Sequence, residues 1–133
     1  MIIGIGIDSI STTRIKKLVG CFEQKFEKKV FSAQEISKAN SIKNSDKKIL
    51  FFAKRFAAKE AFAKAIGLGI GRGVNFCDIE VENDSLGKPS IKILNEKTEF
   101  LLHHFSAKKL AIHLSLTDEK TLASAFVIIE KIS

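Results

Sequence analysis

The stretch FFAKRFAAKEAFAKAIGLG, residues 51 to 69, organises the reading of everything around it. Its alanines, lysines and glutamate favour helix and no proline interrupts them, which predicts a long helix from about Lys47 to Ile66. One carboxylate, Glu60, stands there among the cations Lys54, Arg55, Lys59 and Lys64. Glu60 and Lys64 are four apart with the acid first, an arrangement that as a plain surface pair contributes about 0.2–0.5 kcal/mol. Arg55 and Lys59, also four apart, repel by a similar amount. Such crowding is easier to understand if an anion sits among the cations. Gly67, Gly69, Gly71 and Gly73 follow, a loop whose backbone can approach a ligand closely.

Working outward, MIIGIGID at the start reads as a strand with Ile3, Ile5 and Ile7 on one face and Ile2, Gly4, Gly6 and Asp8 on the other. Two glycines on one strand face imply that another backbone or a ligand comes close there. Asp8 closes that open face, and together with Glu60 it forms a candidate magnesium site, because magnesium takes one or two carboxylates plus waters and phosphates. A helix is predicted from about Thr13 to Lys28, with Ile15, Leu18, Val19, Phe22 and Phe26 inward and Arg14, Lys16, Lys17, Lys25, Lys28 and Lys29 as a basic ridge. Ser32 and Glu35 have capping-box spacing for a short helix to about Ala39. Asn40 to Asp46 reads as a surface loop. Asn75 to Glu82 and Ser90 to Leu94 alternate around turn residues and read as a hairpin. A helix starting at Asn95 or Lys97 follows, then strands Ala111 to Leu116 and Ala123 to Glu130 joined by a turn at Thr117 to Lys120. Strand, helices, hairpin, helix, hairpin fits an α+β fold in one domain, residues 1–133, with an antiparallel sheet rather than repeated βαβ units.

Composition narrows the function classes. The 133 residues are 45% hydrophobic and 28% charged, ordinary for a soluble globular chain and wrong for disorder. Cys21 and Cys77 are too few and too far apart for a metal knuckle or redox pair, and read as reduced core thiols. No secretory leader is visible and no apolar run approaches the roughly 20 residues that span a bilayer, so the expected location is the cytoplasm, with no membrane partner. The net charge of +7 favours acidic partners without choosing among them. Neither a GxGxxG fingerprint nor a GxxxxGK[ST] loop is present. His103 and His104 read as surface or boundary residues, and His113 shares a strand face with Ser115 and Thr117. The competing reading is a basic nucleic-acid-binding module without catalysis, supported by the charge and the Phe–Lys interleaving from Phe51 to Phe56. Those phenylalanines have core spacing, however, and no recognised nucleic-acid motif accompanies them.

Four segments in order, GIGIDSISTTRI at 4–15, FFAKRFAAKEAFAKAIGLGI at 51–70, DIEVENDSLGKP at 78–89 and HLSLTDEKTLASAFVIIE at 113–130, resemble the holo-acyl-carrier-protein synthase family, the small bacterial 4′-phosphopantetheinyl transferases. The similarity covers nearly the whole chain, and the KEA helix is its most specific part. It implies an antiparallel sheet packed against a long central helix, in a homotrimer with sites at subunit interfaces. It implies transfer of the phosphopantetheine arm of coenzyme A to a serine of apo-acyl carrier protein, in support of fatty acid biosynthesis, and no nucleic-acid partner. Asp8 and Glu60 would hold magnesium against the coenzyme A pyrophosphate, with Glu60 also the candidate base. Lys64 would offset phosphate charge, and Arg55 and Lys59 would lie on or near the same pocket. Gly67, Gly69, Lys88 and Pro89 would border the nucleotide. Many relatives carry histidine where this chain has Asp118, which leaves roles for Asp118, Thr117 and His113 near the coenzyme open. Arg14, with Lys17 and Lys29, would dock the acidic carrier protein.

Overall fold

The computed structural model describes residues 1–133; the side chain of Phe22, expected on the first helix's apolar stripe, lies outside the described residues. Its centre is helix α4, Ser45–Ile66, which starts where the Asn44 side chain accepts from the Lys47 amide at 3.0 Å and stops at Gly67, whose φ of 80° suits glycine. It begins two residues earlier than the sequence predicts, because Asn44 caps it. Apolar residues surround α4 on most sides, so amphipathic spacing says little about which face points where. Phe52, Ala53, Phe56, Ala57, Ala58, Ala61, Phe62 and Ala65 are all buried.

Strand β1, Ile2–Ser11, lies directly on this helix. A Cβ on Gly6 would sit 2.8 Å from the Ala65 amide nitrogen and 2.9 Å from the Ala61 carbonyl carbon, and one on Gly4 would press on the Ala65 carbonyl. Backbone therefore meets backbone, as the glycine face predicted. Strand β5, Leu122–Lys131, pairs with β1 on one side and with β4, Leu110–Glu119, on the other, all antiparallel. The turn between β4 and β5 holds only Lys120 and Thr121, so Thr117 and Asp118 are strand residues rather than the expected turn. The face of this sheet away from α4 exposes Ile5, Ile7, Leu122 and Phe126. A second antiparallel sheet pairs β2, Ile79–Asn83, with β3, Pro89–Ile93. Residues 76–78, expected in a strand, form a 3₁₀ turn in which Asp78 accepts from the Asn75 amide at 2.8 Å. Helix α5, Lys97–His104, links the two sheets.

The long first helix predicted from Thr13 does not form. The chain makes α1, Thr12–Leu18, then a 3₁₀ turn at Phe22–Gln24, then α2, Lys25–Val30. Gly20 at φ 82° breaks the path, and the Glu27 carboxylate accepts from its amide at 3.3 Å. The basic ridge is thereby divided: Arg14, Lys16 and Lys17 stand on α1, Lys25, Lys28 and Lys29 on α2. Helix α3, Ala33–Asn40, has its capping box as predicted. Phe26, Phe31, Phe52, Phe56 and Phe76 form a core cluster, with Phe31 and Phe52 centroids 4.6 Å apart. Each ring fully buried there stabilises the fold by about 1.5–3 kcal/mol. Cys21, expected in the core, is exposed, and Cys77 is half-buried; both are free thiols.

Candidate active site

Two strand residues advance ~6.6 Å and four helical residues ~6 Å, so each glycine step along β1 matches one turn of α4. Gly4 faces Ala65, Gly6 faces Ala61, and the next inward residue, Asp8, comes level with the turn that carries Glu60. Lys64 donates to Asp8 Oδ1 at 3.1 Å and to the Ile7 carbonyl at 3.0 Å. The expected surface pair between Glu60 and Lys64 is thus replaced by one between strand and helix. Burial and the nearby Asp8 charge push the Glu60 carboxyl above the usual glutamate range, while Lys64 and Arg14 pull it back. Arg14 therefore bears on this site from α1. Glu60, Lys64, Gly67 and Gly69 line one cavity of about 330 Å³ with Ala63 and Ile70. Both glycines have positive φ and open space where a Cβ would be, so the loop is shaped to admit a ligand.

Arg55 stands elsewhere. Five residues along a helix rotate by ~140°, which turns it away from Glu60. Its guanidinium lies 3.7 Å above the Phe51 ring and donates to Asn83 Oδ1 at 2.8 Å, while its buried Nε has no partner among the described residues. Burial lowers its pKa, with Glu35 opposing. Asn83 also donates to the Gly87 carbonyl at 3.0 Å, bracing the turn that bears Lys88 and Pro89 against this arginine. Lys54 joins the group through an ion pair to Asp118 at 3.2 Å, and Lys47, Lys54, Arg55 and Asn83 line a second cavity of about 290 Å³. An orphaned donor among cations is chemistry suited to an anion. The predicted site residues therefore fall into two groups on different faces of α4.

Lys59, His113 and Thr117 stand apart from both groups. Lys59 is fully buried, not in a pocket: its ammonium donates to Glu35 at 2.7 Å and to the carbonyls of Val30, Phe76 and Ile79 at 2.9, 2.9 and 2.6 Å. Burial lowers its pKa and Glu35 offsets this. His113 and Thr117 project from β4 to the sheet face away from α4, because β4 residues alternate and Asp118 takes the inner side. His113 pairs with Glu130 at 2.8 Å. Within one chain neither can reach Asp8 or Glu60.

Glu35 is the residue that sequence reading undervalued. Besides capping α3 it accepts from the Val81 amide at 2.9 Å and neutralises Lys59, tying α3, α4 and β2 together. Its capping-box spacing was visible, but its second and third partners lie far away in sequence. Arg14, Lys17 and Lys29 are all exposed, as docking residues require. Phe52 and Phe56 are buried, which removes base-stacking rings from the nucleic-acid reading.

Comparison with known proteins covers nearly the whole chain. The sequence pattern of the 4′-phosphopantetheinyl transferase superfamily matches residues 4–125. The chain is 47% identical to a holo-[acyl-carrier-protein] synthase of Wigglesworthia glossinidia brevipalpis over 131 residues, 97% of this chain and 92% of the relative. With the synthase of Zymomonas mobilis it shares 46% over 98% and 97% of the two chains. Its fold is similar to the crystal structure of the Neisseria meningitidis synthase, with TM-score 0.83, 37% identity and coverage of 98% and 100%. The Bacillus anthracis synthase in complex with CoA (3′,5′-ADP) gives TM-score 0.79 and 40% identity, with 98% of each chain covered.

Proposed function

The chain belongs to the 4′-phosphopantetheinyl transferase superfamily, and we propose that it moves the 4′-phosphopantetheine arm of coenzyme A onto a serine of apo-acyl carrier protein. The serine oxygen forms a bond to the phosphorus bearing the pantetheine arm. The bond from that phosphorus to the bridging oxygen breaks, adenosine 3′,5′-bisphosphate leaves, and holo-carrier is released for fatty acid biosynthesis. The observation that carries this reading is the meeting of Asp8, Glu60 and Lys64 beside the open Gly67–Gly69 loop.

Glu60 is the proposed acceptor of the serine proton. Burial and the Asp8 charge raise its affinity for a proton above that of an ordinary surface glutamate, which suits a base. Lys64, with its side chain 56% exposed, is free to turn from Asp8 toward a phosphate. Asp8 and Glu60 fit magnesium: the Asp8 charge opposes ionisation of Glu60, and a hard cation between the two carboxylates relieves that repulsion. Bound there, magnesium would supply Lewis-acid stabilisation of the phosphoryl oxygens. The second group, with Arg55, Lys54 and the Gly87–Pro89 turn, is the proposed seat of the nucleotide end of coenzyme A.

The two groups face apart on one helix, and the sheet's outer face leaves Ile5, Ile7 and Phe126 exposed. Both features support a homotrimer in which Asp8 and Glu60 of one copy work beside Arg55 of a neighbour. Arg14, Lys17 and Lys29 are the proposed docking residues for the acidic carrier, and the cytoplasm is the proposed place of action. The test is mass spectrometry of apo-acyl carrier protein incubated with coenzyme A, magnesium and this protein. The expected phosphopantetheine adduct must vanish in Asp8→Ala, and near-normal turnover by Glu60→Gln at saturating magnesium would remove Glu60 from the chemistry.

A further inference from the structure

A third cavity, of about 340 Å³, lies between β3, α5 and the free edge of β4 and shares no lining residue with the two cavities above. Ile93, Leu102, Leu110 and Ile112 make its walls, and Lys108 and Lys109 stand on its lining where α5 passes into β4. No acidic residue lines it among the described residues. Among the described residues, neither lysine ammonium has a carboxylate within ion-pair distance. The walls belong to the inner side of the sheet: Ile112 sits opposite the buried Ile129, and the alternate residue His113 points outward. Assembly through the outer face of Ile5, Ile7 and Phe126 would leave the cavity open.

A concave aliphatic wall with a small number of placed polar groups is the usual form of a small-molecule site, and 340 Å³ is within its ordinary size range. Two exposed cations beside that wall favour a ligand with an apolar body and a single anionic head, since exposed lysines keep their charge in water while their stems lie along apolar surface. We propose that this groove binds a single-chain fatty carboxylate, its hydrocarbon on Ile93, Leu102, Leu110 and Ile112 and its carboxylate at Lys108 and Lys109. Binding needs no part of the transferase reading. Its meaning rests on that reading: an acyl acid would report to the enzyme on the supply of chains that its holo-carrier product helps to build.

The probe is dodecanoate below its micelle concentration, titrated calorimetrically into the wild-type protein, with dodecyltrimethylammonium as the cationic control of equal chain length. Dodecanoate is expected to bind saturably and at least tenfold more tightly than the control. Lys108→Glu/Lys109→Glu, a surface change that leaves the walls intact, should weaken dodecanoate at least tenfold and reverse the preference for head charge. Leu102→Gln should weaken both ligands, with circular dichroism confirming that it is folded. Absent binding, equal binding of both probes, or indifference to the lysine change overturns the proposal. So does a shift of oligomeric state by the lysine variant in sedimentation without ligand, since the groove would then be covered by a second copy. Calorimetry on Asp8→Ala keeps the question apart from catalysis: a dead transferase should still bind dodecanoate.

Discussion

Replacing Lys59 by methionine should unfold the protein more readily than any change to its exposed lysines. The ammonium has four acceptors within 2.9 Å, one of them the Glu35 carboxylate, whose side chain is only 1% exposed. Methionine fills much of the same volume, so the cavity contribution is small. What remains is a buried carboxylate without its partner, and removing one member of a buried pair costs about 3–5 kcal/mol. Glu35 keeps the Ser32 and Val81 amides as donors, which holds the expected loss toward the lower end of that range. Against a total stability of roughly 5–15 kcal/mol this is a large fraction. At about 4 °C per kcal/mol for a chain of this size, it lowers the melting temperature by about 12–20 °C. Urea titration followed by circular dichroism, with an unchanged slope, measures it. Glu35→Leu/Lys59→Met removes both charges and should cost clearly less than the two single changes added. A Lys59→Met protein within about 1 kcal/mol of wild type would refute the structural role. Loss of coenzyme A affinity without loss of stability would return Lys59 to the binding pocket.

Gly6→Ala forces a Cβ against the Ala61 and Ala65 backbone; thermal melting should fall, and turnover should drop further than stability explains because Asp8 is displaced. The raised Glu60 pKa means that the native state holds a proton which the unfolded chain has released, so metal-free stability relative to Glu60→Gln should decline as pH rises from the usual glutamate range toward neutrality. Denaturant titrations at pH ~4 and ~7 check the sign, and added magnesium should reduce the decline. Arg14→Glu should raise KM for the carrier several-fold, and the difference from wild type should shrink with salt. Equal changes in KM for coenzyme A and carrier would sink the docking role, although the influence of Arg14 on Glu60 allows a modest effect on kcat.

Much of this arrangement was legible in the residues. The small-residue helix, its glycine ending, the glycine face of β1 and the capping box at Ser32 and Glu35 are local signals with local causes. Lys59 was not legible, because α4 is apolar nearly all round and gives no phase by which to sort buried from exposed positions. Its partner, Glu35, is 24 residues away and was already accounted for as a cap. His113 and Thr117 were linked with Asp118 only through the resemblance; the two-residue turn keeps the alternation of β4 running and sets Asp118 on the opposite side from them. The break after α1 hinges on Gly20 and the distant carboxylate of Glu27, which periodicity alone passes over.

The bare contact of β1 with α4 also acts as a ruler. Because Gly4 and Gly6 touch main chain rather than side chains, the span between Asp8 and Glu60 is set by atoms that no ordinary substitution elsewhere can alter. The surface of this protein can therefore drift widely while the carboxylates stay in place. The same device allows no partial error. A one-residue slip of β1 along β5 would turn Asp8 out among Ile5 and Ile7 and lose the site in a single step, so the two glycines fix registration as much as spacing.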